Sequence, residues 1–531
     1  MRITNNMMLR TTTSNINNNK INVNSLNNQM STQKKISRPS EDPVVAIRAL
    51  RLRGNLSEIN QYYKNNIPDA DAWLDVTETA LNNMKSILTD VRSQCVYGAT
   101  DALKTEDRST ILTALESLRE QVYAEGNSDY AGRTVFTGYR TNCKLLFMED
   151  DSTTSYDITQ TFSADTAIEE HRYYDGQITI GTADEMINAS SNNGGATGTV
   201  VFDDPGVYAY DRIRFGYGDI TTIEGVDASG SQIQLEYKYK DPATTANATG
   251  TMNVTVYDTY EEWYAAMEAG TIDMDGDTSK DAAFIKASGE LILSDKMSAT
   301  LKSYHAEITV DYNKTGFNKG ELRPEYYYNC TDITDSKNKI TYTKYDANGE
   351  EIEQNINYII SMNQTLTVNT NASSVFDASI GRDVDDMINA VQAAIDAHDK
   401  VDKIEEMMKE TENLEESRQA ELQLWLDAAK KEADYADDNL QKMYNSYIGN
   451  FDDYLSQVNL AITTVGSKGD RLELTETRIS NQQLTVETLK STNEDRELSD
   501  IIIDYTAAYT AYQASLQAAG MLNQTSLLNY I

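Results

Sequence analysis

The sequence predicts an α+β protein in which long helices at both ends of the chain enclose a β-rich middle region. Apolar residues near both ends recur at three- and four-residue spacing, which is the period of an α-helix. Between about residues 141 and 375 the period becomes two, as in strands. None of the six prolines lies between Pro68 and Pro205, and none follows Pro324, so both flanking regions can hold uninterrupted helices.

The first and last helices each carry a narrow apolar stripe at heptad spacing. The stripes consist of Leu9, Ile16, Val23 and Met30, and of Leu498, Ile502, Tyr505, Tyr509, Tyr512 and Leu516. Such a thin stripe is typical of helix–helix contacts rather than of packing on a globular core. We therefore predict that these residues form an assembly interface, in which each end packs on the other end and on neighbouring copies.

Three more helices are predicted before the β-rich region. The loop ISRPSEDP precedes the first and offers Ser40 and Asp42 as capping residues. Pro68 opens the second, and the third follows Thr105 and ends near Gly126. The apolar face of each helix is narrow, which predicts a helical bundle.

Alternating segments predict strands, mostly antiparallel, throughout the middle region. These segments are TVFTGY, QITIGT, GTVVF, DRIRFGYG, SQIQLEYKYKD, TMNVTVYD, HAEITVDYN, KITYTKYD and LTVNT. Asn348 and Gly349 indicate a hairpin turn, and TYEEWYAAMEAG indicates a short helix. The region is long enough for one or two subdomains.

Helix is predicted again from GRDVDDMINAV onwards, with an interruption at Gly449 and Asn450. A heptad pattern runs from Phe451 to Val486. Its phase slips within STNEDRE, where no apolar residue is available, and restarts at Leu498. A single helix over residues 451–516 would be about 100 Å long.

Charge and composition exclude several classes of protein. The net charge of -37 argues against a nucleic-acid or anionic-membrane binder, because the long-range field repels phosphate. Residues 1–50 are the exception, because their net charge is +5, which leaves a net charge of -42 for the rest of the chain. The start, MRITNNMMLR, has no apolar core of a signal peptide, and no stretch is apolar enough to span a bilayer.

We find no pattern that predicts catalytic, cofactor-binding or metal-binding residues. The histidines and cysteines, none at ligand spacing, are His171, His305, His398, Cys95, Cys143 and Cys330. Asp273, Asp275 and Asp277 resemble a calcium loop, but Gly276 stands at loop position four and Phe284 at position twelve. The sequence therefore predicts a protein that is not an enzyme, and it leaves cation binding at the three aspartates open.

An energy estimate predicts how the N-terminal stripe behaves. Burying its four side chains contributes about 6 to 12 kcal/mol. Fixing some thirty residues costs about 1 to 2 kcal/mol each in backbone entropy, and Asn and Thr are poor helix formers. We therefore expect the arm to order only where other helices surround it, so that folding is coupled to assembly.

Several segments resemble the flagellar hook-associated protein 3 family, the flagellin-related proteins of the hook-filament junction. They are MRITNNMM, KKISRPSEDPVVAIRALRLR, NSDYAGRTVFTGYRT, GDRLE and the run from Glu494 to Ile531. The resemblance covers about residues 1–141 and 380–531, whereas the middle region matches no motif. ISRPSEDP, in place of an RLSSG-type turn, distinguishes the chain from flagellin.

The resemblance implies a flagellin-like layered fold and a structural role. Its layers would be 1–38 with 490–531 as the inner terminal helices, 39–140 with 376–489 as a helical bundle, and 141–375 as a β-rich surface insert. Family members form a homo-oligomeric ring between hook-associated protein 1 and flagellin. They leave the cell through the flagellar type III export apparatus, with a chaperone and without a cleaved signal peptide, and become part of the extracellular flagellum.

Two alternatives stay open at this point. A flagellin-type filament subunit would share the helical ends. A secreted coiled-coil adhesin would bind a surface through its β-rich region and would stay oligomeric without its extreme ends. No cofactor is implied by any of these functions.

Overall fold

A computed structural model shows that the fold class predicted above is correct, with helices at both ends and strands between them. It describes residues 5–100, 103–175, 178–190, 206–224, 232–240, 246–269, 281–346 and 349–524. The chain divides into two compact units. Unit 1 comprises Met1–Ala72, Asn357–Thr367 and Lys468–Ile531, and unit 2 comprises Trp73–Ile356 and Val368–Ser467. The three-layer division implied by the resemblance stays a prediction.

The described helices have the following bounds. They are α1 (Asn5–Thr32), α2 (Pro43–Gln61), α3 (Ile67–Gly98), α4 (Thr105–Gln121), α5 (Ala164–Ala167), α6 (Ala183–Ser190), α7 (Tyr260–Glu268), α8 (Asp295–Tyr304), α9 (Ser379–Lys409), α10 (Glu416–Glu494) and α11 (Leu498–Gln524). The short helix predicted at TYEEWYAAMEAG is therefore confirmed as α7.

Local sequence explains how α2 and α3 begin. The Asp42 carboxylate accepts hydrogen bonds from the backbone N–H groups of Val44 and Val45, at 2.9 and 3.1 Å, and Pro43 occupies the first turn. A π-helical turn, Tyr62–Asn66, then leads directly into α3. Pro68 is the second residue of α3, and no loop precedes the helix. Proline has no backbone N–H to donate, and here the missing donor lies next to the wider π-helical turn.

The interruption predicted at Gly449 and Asn450 is wrong, since α10 is continuous through both residues. Glycine inside a helix costs only about 1 kcal/mol relative to alanine. Asn450 adds a contact of its own, because its Nδ2 donates to Asp383 Oδ2 at 3.3 Å. The break lies between Glu494 and Leu498, in the segment where the heptad phase slips, so residues 451–516 do not form one helix.

The described strands of unit 1 and unit 2 have the following bounds. They are β1 (Asp129–Tyr130), β2 (Arg133–Thr134), β3 (Asp151–Ser163), β4 (Ile168–Asp175), β5 (Gly206–Arg214), β6 (Thr222–Ile223), β7 (Gln232–Lys240), β8 (Asn247–Tyr257), β9 (Ala282–Ile285), β10 (Glu290–Leu293), β11 (Glu307–Phe317), β12 (Asn329–Asp332), β13 (Ile340–Tyr342), β14 (Asn357–Ser361) and β15 (Gln364–Thr367).

An eleven-stranded sheet dominates unit 2, in the order β13-β12-β3-β11-β7-β8-β9-β10-β5-β4, with β6 beside β11. Its neighbouring strands are antiparallel except for β8 and β9. Among the strands that the sequence missed are β3, β4, β9 and β10; AAFI and ELIL, which form β9 and β10, are buried on both faces and do not alternate. TVFTGY contributes only Thr134 to a strand, and the described residues of QITIGT, 178–182, contribute none.

Some sequence predictions lie outside the described residues. These are GTVVF, Asn348 of the predicted hairpin turn, and Asp273, Asp275 and Asp277. Gly349 is described, and its φ of +81° is the left-handed conformation that glycine adopts readily.

Two kinds of packing build the cores of unit 2. Aromatic and aliphatic side chains cover the sheet, with Phe215 and Phe284 at its centre, their ring centroids 5.0 Å apart. The helices α4 and α9 pack against each other, and residues such as Val384, Met387 and Val391 on α9 are fully buried. These α9 positions follow the helical period that the sequence predicted.

Unit 1 combines the terminal helices with a small hairpin. Leu472 and Ile479 in the last part of α10 are buried, as are Ala46 and Ala49 on α2. Gln483 Nε2 also donates to Asn60 Oδ1 at 2.9 Å. The hairpin β14–β15 joins this unit through its own contacts, which include Asn66 Nδ2 donating to the Ile359 carbonyl at 2.7 Å.

Candidate assembly surface

The helices α1 and α11 pack side by side in unit 1 in antiparallel orientation. Lys34, just after α1, bridges to Asp495, just before α11, while Asn19 Nδ2 donates to Ser515 Oγ at 3.3 Å farther along the pair. Half-buried or buried positions step by four and three residues along each helix. They are Thr12, Ile16, Asn19, Val23, Leu26 and Met30, and Ile501, Tyr505, Ala508, Tyr512, Ser515 and Ala519. We call these twelve residues the α1–α11 seam.

The seam includes five of the ten residues in the predicted stripes, namely Ile16, Val23, Met30, Tyr505 and Tyr512. The others are exposed: Leu9 by 36%, Leu498 by 43%, Ile502 by 46%, Tyr509 by 43% and Leu516 by 44%. The assembly role of all ten residues stays a prediction.

The sequence missed seven of the twelve seam residues, five of them for a chemical reason. Thr12, Asn19 and Ser515 are polar, and Ala508 and Ala519 are small, so a search for large apolar residues passes over them. Leu26 and Ile501 could have been found, since each lies three or four residues from a stripe position.

The apolar surface of α11 is wider than the seam. At 100° per residue, the predicted stripe on α11 is centred about 60° around the helix from its seam residues. Tyr505 and Tyr509 bridge the two faces with stacked rings whose centroids lie 5.9 Å apart. We call the exposed residues Leu498, Ile502, Tyr509 and Leu516 the outer stripe. A contiguous exposed apolar surface of this kind is typical of a protein–protein interface.

A polar junction joins the two chain segments where α1 ends and α11 begins. The Lys35 N–H donates to the Glu494 carbonyl at 2.8 Å, and the Arg496 N–H donates to the Gln33 carbonyl at 3.0 Å. Arg53 binds the Glu494 carboxylate through two hydrogen bonds, at 2.8 and 2.6 Å. These bonds hold the pKa of Glu494 below its usual value, so its carboxylate is ionised.

We expect Glu494→Gln to loosen this junction. The substitution removes the negative charge of Glu494, with which both Arg53 and Lys34 form ion pairs. The junction should lose about 1 kcal/mol of stability, a small effect because Arg53 is largely exposed. Hydrogen exchange of the Lys35 amide should then become about fivefold faster. Glu473→Gln, at an exposed site on the same helix, is the control. Unchanged exchange at Lys35 would show that the backbone bonds alone hold the junction.

A cluster of buried charges lies in unit 2, and the sequence did not indicate it. Arg212 donates to Glu290 at 2.6 Å and to Asp386 at 2.8 Å. Arg214 donates to Asp386 at 2.9 Å and forms an ion pair with Asp383. Burial opposes ionisation of Asp386, but the two arginines outweigh it and hold the pKa of that carboxyl below its usual value.

His171 lies beside this cluster, with its ring centroid 5.8 Å from that of Tyr210. Burial, and then the nearby charge of Arg212, lower the pKa of His171 to about 3. Below about pH 6.5 this histidine takes up a proton in the unfolded chain. In the folded protein His171 stays neutral at the same pH. Acid thus favours the unfolded state, and stability falls as the pH drops from about 6.5 towards 3.

We expect His171→Gln to reduce this sensitivity to acid. When the pH falls from 6.5 to 5, the free energy of unfolding should decrease in both proteins. The decrease should be about 1 to 2 kcal/mol smaller in the variant than in the unmodified protein. Urea denaturation at the two pH values measures the difference. His305→Gln is the control, because that side chain is 76% exposed. Equal losses in all three proteins would contradict the prediction.

The described part of the chain offers no obvious site for a metal or a membrane anchor. It contains no group of three or more His, Cys, Asp or Glu side chains arranged to hold a metal ion. None of its helices combines the length and apolar character that crossing a membrane requires.

Comparisons with known proteins find similarity to flagellar proteins over part of the chain. The family described as bacterial flagellin N-terminal helical region matches residues 3–141. The flagellar hook-associated protein 3 of Salmonella typhimurium is 31% identical over 142 residues, which are 27% of this chain and 44% of that protein. Its Escherichia coli K12 counterpart is 30% identical over 114 residues, 21% of this chain and 36% of that protein.

The chain is similar to these two flagellar hook-associated proteins 3, and the matches span less than half the length of each of them.

Among solved structures, the chain is similar to a putative flagellar hook-associated protein from Vibrio parahaemolyticus, with 14% identity and a TM-score of 0.33 over 86% of this chain and all of that one. It is also similar to a flagellar junction protein from Legionella pneumophila, with 11% identity and a TM-score of 0.30 over 85% of this chain and all of that one.

Proposed function

We propose that this protein is a structural axial component of the bacterial flagellum that joins the hook to the filament. The observation that carries the proposal is the similarity of the chain to the flagellar hook-associated protein 3 of Salmonella typhimurium, 31% identical over 142 residues. The match of residues 3–141 to the N-terminal helical region of bacterial flagellin supports it. The paired terminal helices support it, because they offer a seam within one chain and an outer stripe for a neighbour. The site of action is then the flagellum, an extracellular appendage.

In this proposal the chain forms a homo-oligomeric ring between hook-associated protein 1 and flagellin. The outer stripe supplies the apolar contacts of the innermost layer, and folding of α1 is coupled to assembly. The chain would pass unfolded through the flagellar type III export apparatus, delivered by its chaperone and without a cleaved signal peptide. The role is structural and uses no cofactor or enzymatic step.

A filament subunit is the second candidate, because the matching family is described by the N-terminal region of flagellin itself. Removing the gene product from its host separates the two. A junction role predicts intact hooks, no attached filaments and flagellin shed into the medium. A filament role predicts that filament mass disappears without shed flagellin. Normal hooks with normal filaments would exclude both functions.

A further inference from the structure

The side chains of a lysine, a glutamate and an asparagine meet in unit 2, after strand β13. Lys344 Nζ donates to Glu351 Oε1 at 2.5 Å, and Asn371 Nδ2 donates to the same oxygen at 2.8 Å. The Ser373 hydroxyl also donates to it, at 3.4 Å. Because both nitrogens contact one oxygen, they lie at most about 5 Å apart, near the separation from which an intramolecular reaction starts. We call Lys344, Glu351 and Asn371 the amide triad.

The backbone holds the amide triad in place. Lys344 and Glu351 lie on two segments joined by a hydrogen bond from the Ile352 N–H to the Lys344 carbonyl, at 2.8 Å. Asn371 caps a short 3-10 helix, Ala372–Ser374. The Lys344 side chain is only 6% exposed, so its amine stays at this site rather than in water. That of Glu351 is 34% exposed, which leaves a path by which a small molecule can depart.

A fourth side chain acts on the carboxamide of Asn371. Asn369 Nδ2 donates to Asn371 Oδ1 at 3.3 Å. Asn369 is buried, and its side chain is fixed because it also donates to the Gln354 carbonyl and accepts from the Ile356 N–H, each at 2.8 Å. A fixed donor at a carbonyl oxygen stabilises the negative charge that develops there when a nucleophile attacks the carbon.

We propose that Lys344 and Asn371 join in a covalent amide bond within each folded chain, with Glu351 transferring the protons. Glu351 takes a proton from the Lys344 ammonium group, and the free amine attacks Asn371 Cγ. A bond forms between Nζ and Cγ, and the bond between Cγ and Nδ2 breaks. Overall, an ammonium group and a carboxamide become a secondary amide and an ammonium ion. The step therefore requires no oxidant, cofactor or second chain.

The bond would connect the chain on either side of an excursion out of unit 2. The first segment of that unit ends at Ile356 and the second begins at Val368, with residues of unit 1 between them. Lys344 precedes the excursion and Asn371 follows it. The bond would close residues 344–371 into a covalent loop, so tension on the intervening segment could not separate its two ends. It goes beyond the proposed function and does not rest on it, because it forms within one chain.

Intact mass spectrometry of the purified full chain tests the bond. The mass should lie about 17 Da below the value that the sequence gives, because one ammonia is lost. Trypsin should no longer cleave after Lys344, since the amine that it recognises is acylated. Glutamyl endopeptidase cuts at Glu353, between Lys344 and Asn371, and should leave the two fragments joined.

Substitutions distinguish the bond from an ion pair. Lys344→Arg keeps a positive charge opposite Glu351 but has no nucleophilic amine, so the full mass of its sequence should be measured. Glu351→Gln should also leave the bond unformed, because it removes the group that takes the proton. Lys400→Arg is the matched control, since Lys400 pairs with the buried carboxylate of Glu432 at 2.7 Å in the same unit. Its mass should stay about 17 Da below the value for its sequence.

The unmodified chain alone can overturn the proposal, whether or not the variants fold. A mass equal to the sequence value overturns it and leaves an ion pair with a hydrogen-bonded asparagine only. A lower mass with normal cleavage after Lys344 overturns it too, because the ammonia then came from another asparagine. A lower mass that is lost in Lys344→Arg and kept in Lys400→Arg supports the bond. Filaments attached without the protein would overturn the proposed function instead.

Discussion

Removing residues 498–531 is expected to abolish attachment of filaments while unit 2 remains folded. The deletion removes every seam residue of α11 and the whole outer stripe, so neither α1 nor a neighbouring copy keeps its partner. Removing residues 1–30 should have the same effect. Because unit 2 begins at Trp73 and ends at Ser467, its thermal unfolding temperature should change little. Electron microscopy of cells and calorimetry of the purified protein measure the two results.

Point variants distinguish the outer stripe from the seam. Tyr509→Ser with Leu516→Ser should leave the helix content of the isolated chain unchanged, because both side chains are already exposed there. Attachment of filaments should nevertheless be lost. Thr506→Ser with Thr510→Ser, on the exposed polar side of α11, is the matched control. Attached filaments in either truncation would contradict the role of the terminal helices.

Replacing Arg214 with Met is expected to destabilise unit 2 by about 3 to 5 kcal/mol, the typical effect of removing one partner from a buried ion pair. The Arg214 side chain is 8% exposed, and that of its partner Asp383 is fully buried. Without Arg214, Asp383 would keep only neutral donors, the Tyr454 hydroxyl at 2.8 Å and the Asn450 amide. The midpoint of urea denaturation should fall accordingly.

A matched arginine provides the control. Arg172 pairs with Asp438 at 3.3 Å, but both side chains are accessible to water, so Arg172→Met should cost less than about 1 kcal/mol. The double variant Arg214→Met with Asp383→Leu should recover part of the loss, because it removes the stranded charge. If the two arginine variants lost equal stability, burial would not be the reason for the effect.

Sequence patterns predicted most helices and many strands because these elements have one buried face. The slip in heptad phase before Leu498 coincides with the end of α10, and Asp42 is the one of the two candidate capping residues, Ser40 and Asp42, that caps α2. Strands β9 and β10 were missed because both of their faces are buried. The interruption expected at Gly449 failed because tertiary packing of α10 outweighs a small local preference.

The candidate surface was only partly predictable for a similar reason. Heptad spacing identified Ile16, Val23 and Tyr505 as interface residues, but it could not tell which part of a broad apolar surface faces the partner helix. Ile501 became the fully buried residue of the seam, whereas Ile502 beside it stayed exposed. A rotation of about 60° around a helix changes the partner without changing the period.

The sequence by itself determined the α+β class, the helical ends, the slip in heptad phase before Leu498 and the resemblance to the family, because each depends on residues close together in the chain. Only the tertiary structure decided the seam, the outer stripe and the charges around Arg214. These features join residues hundreds of positions apart, such as Asn19 with Ser515. Such contacts depend on packing and on burial from water, and periodicity along the sequence predicts neither of them.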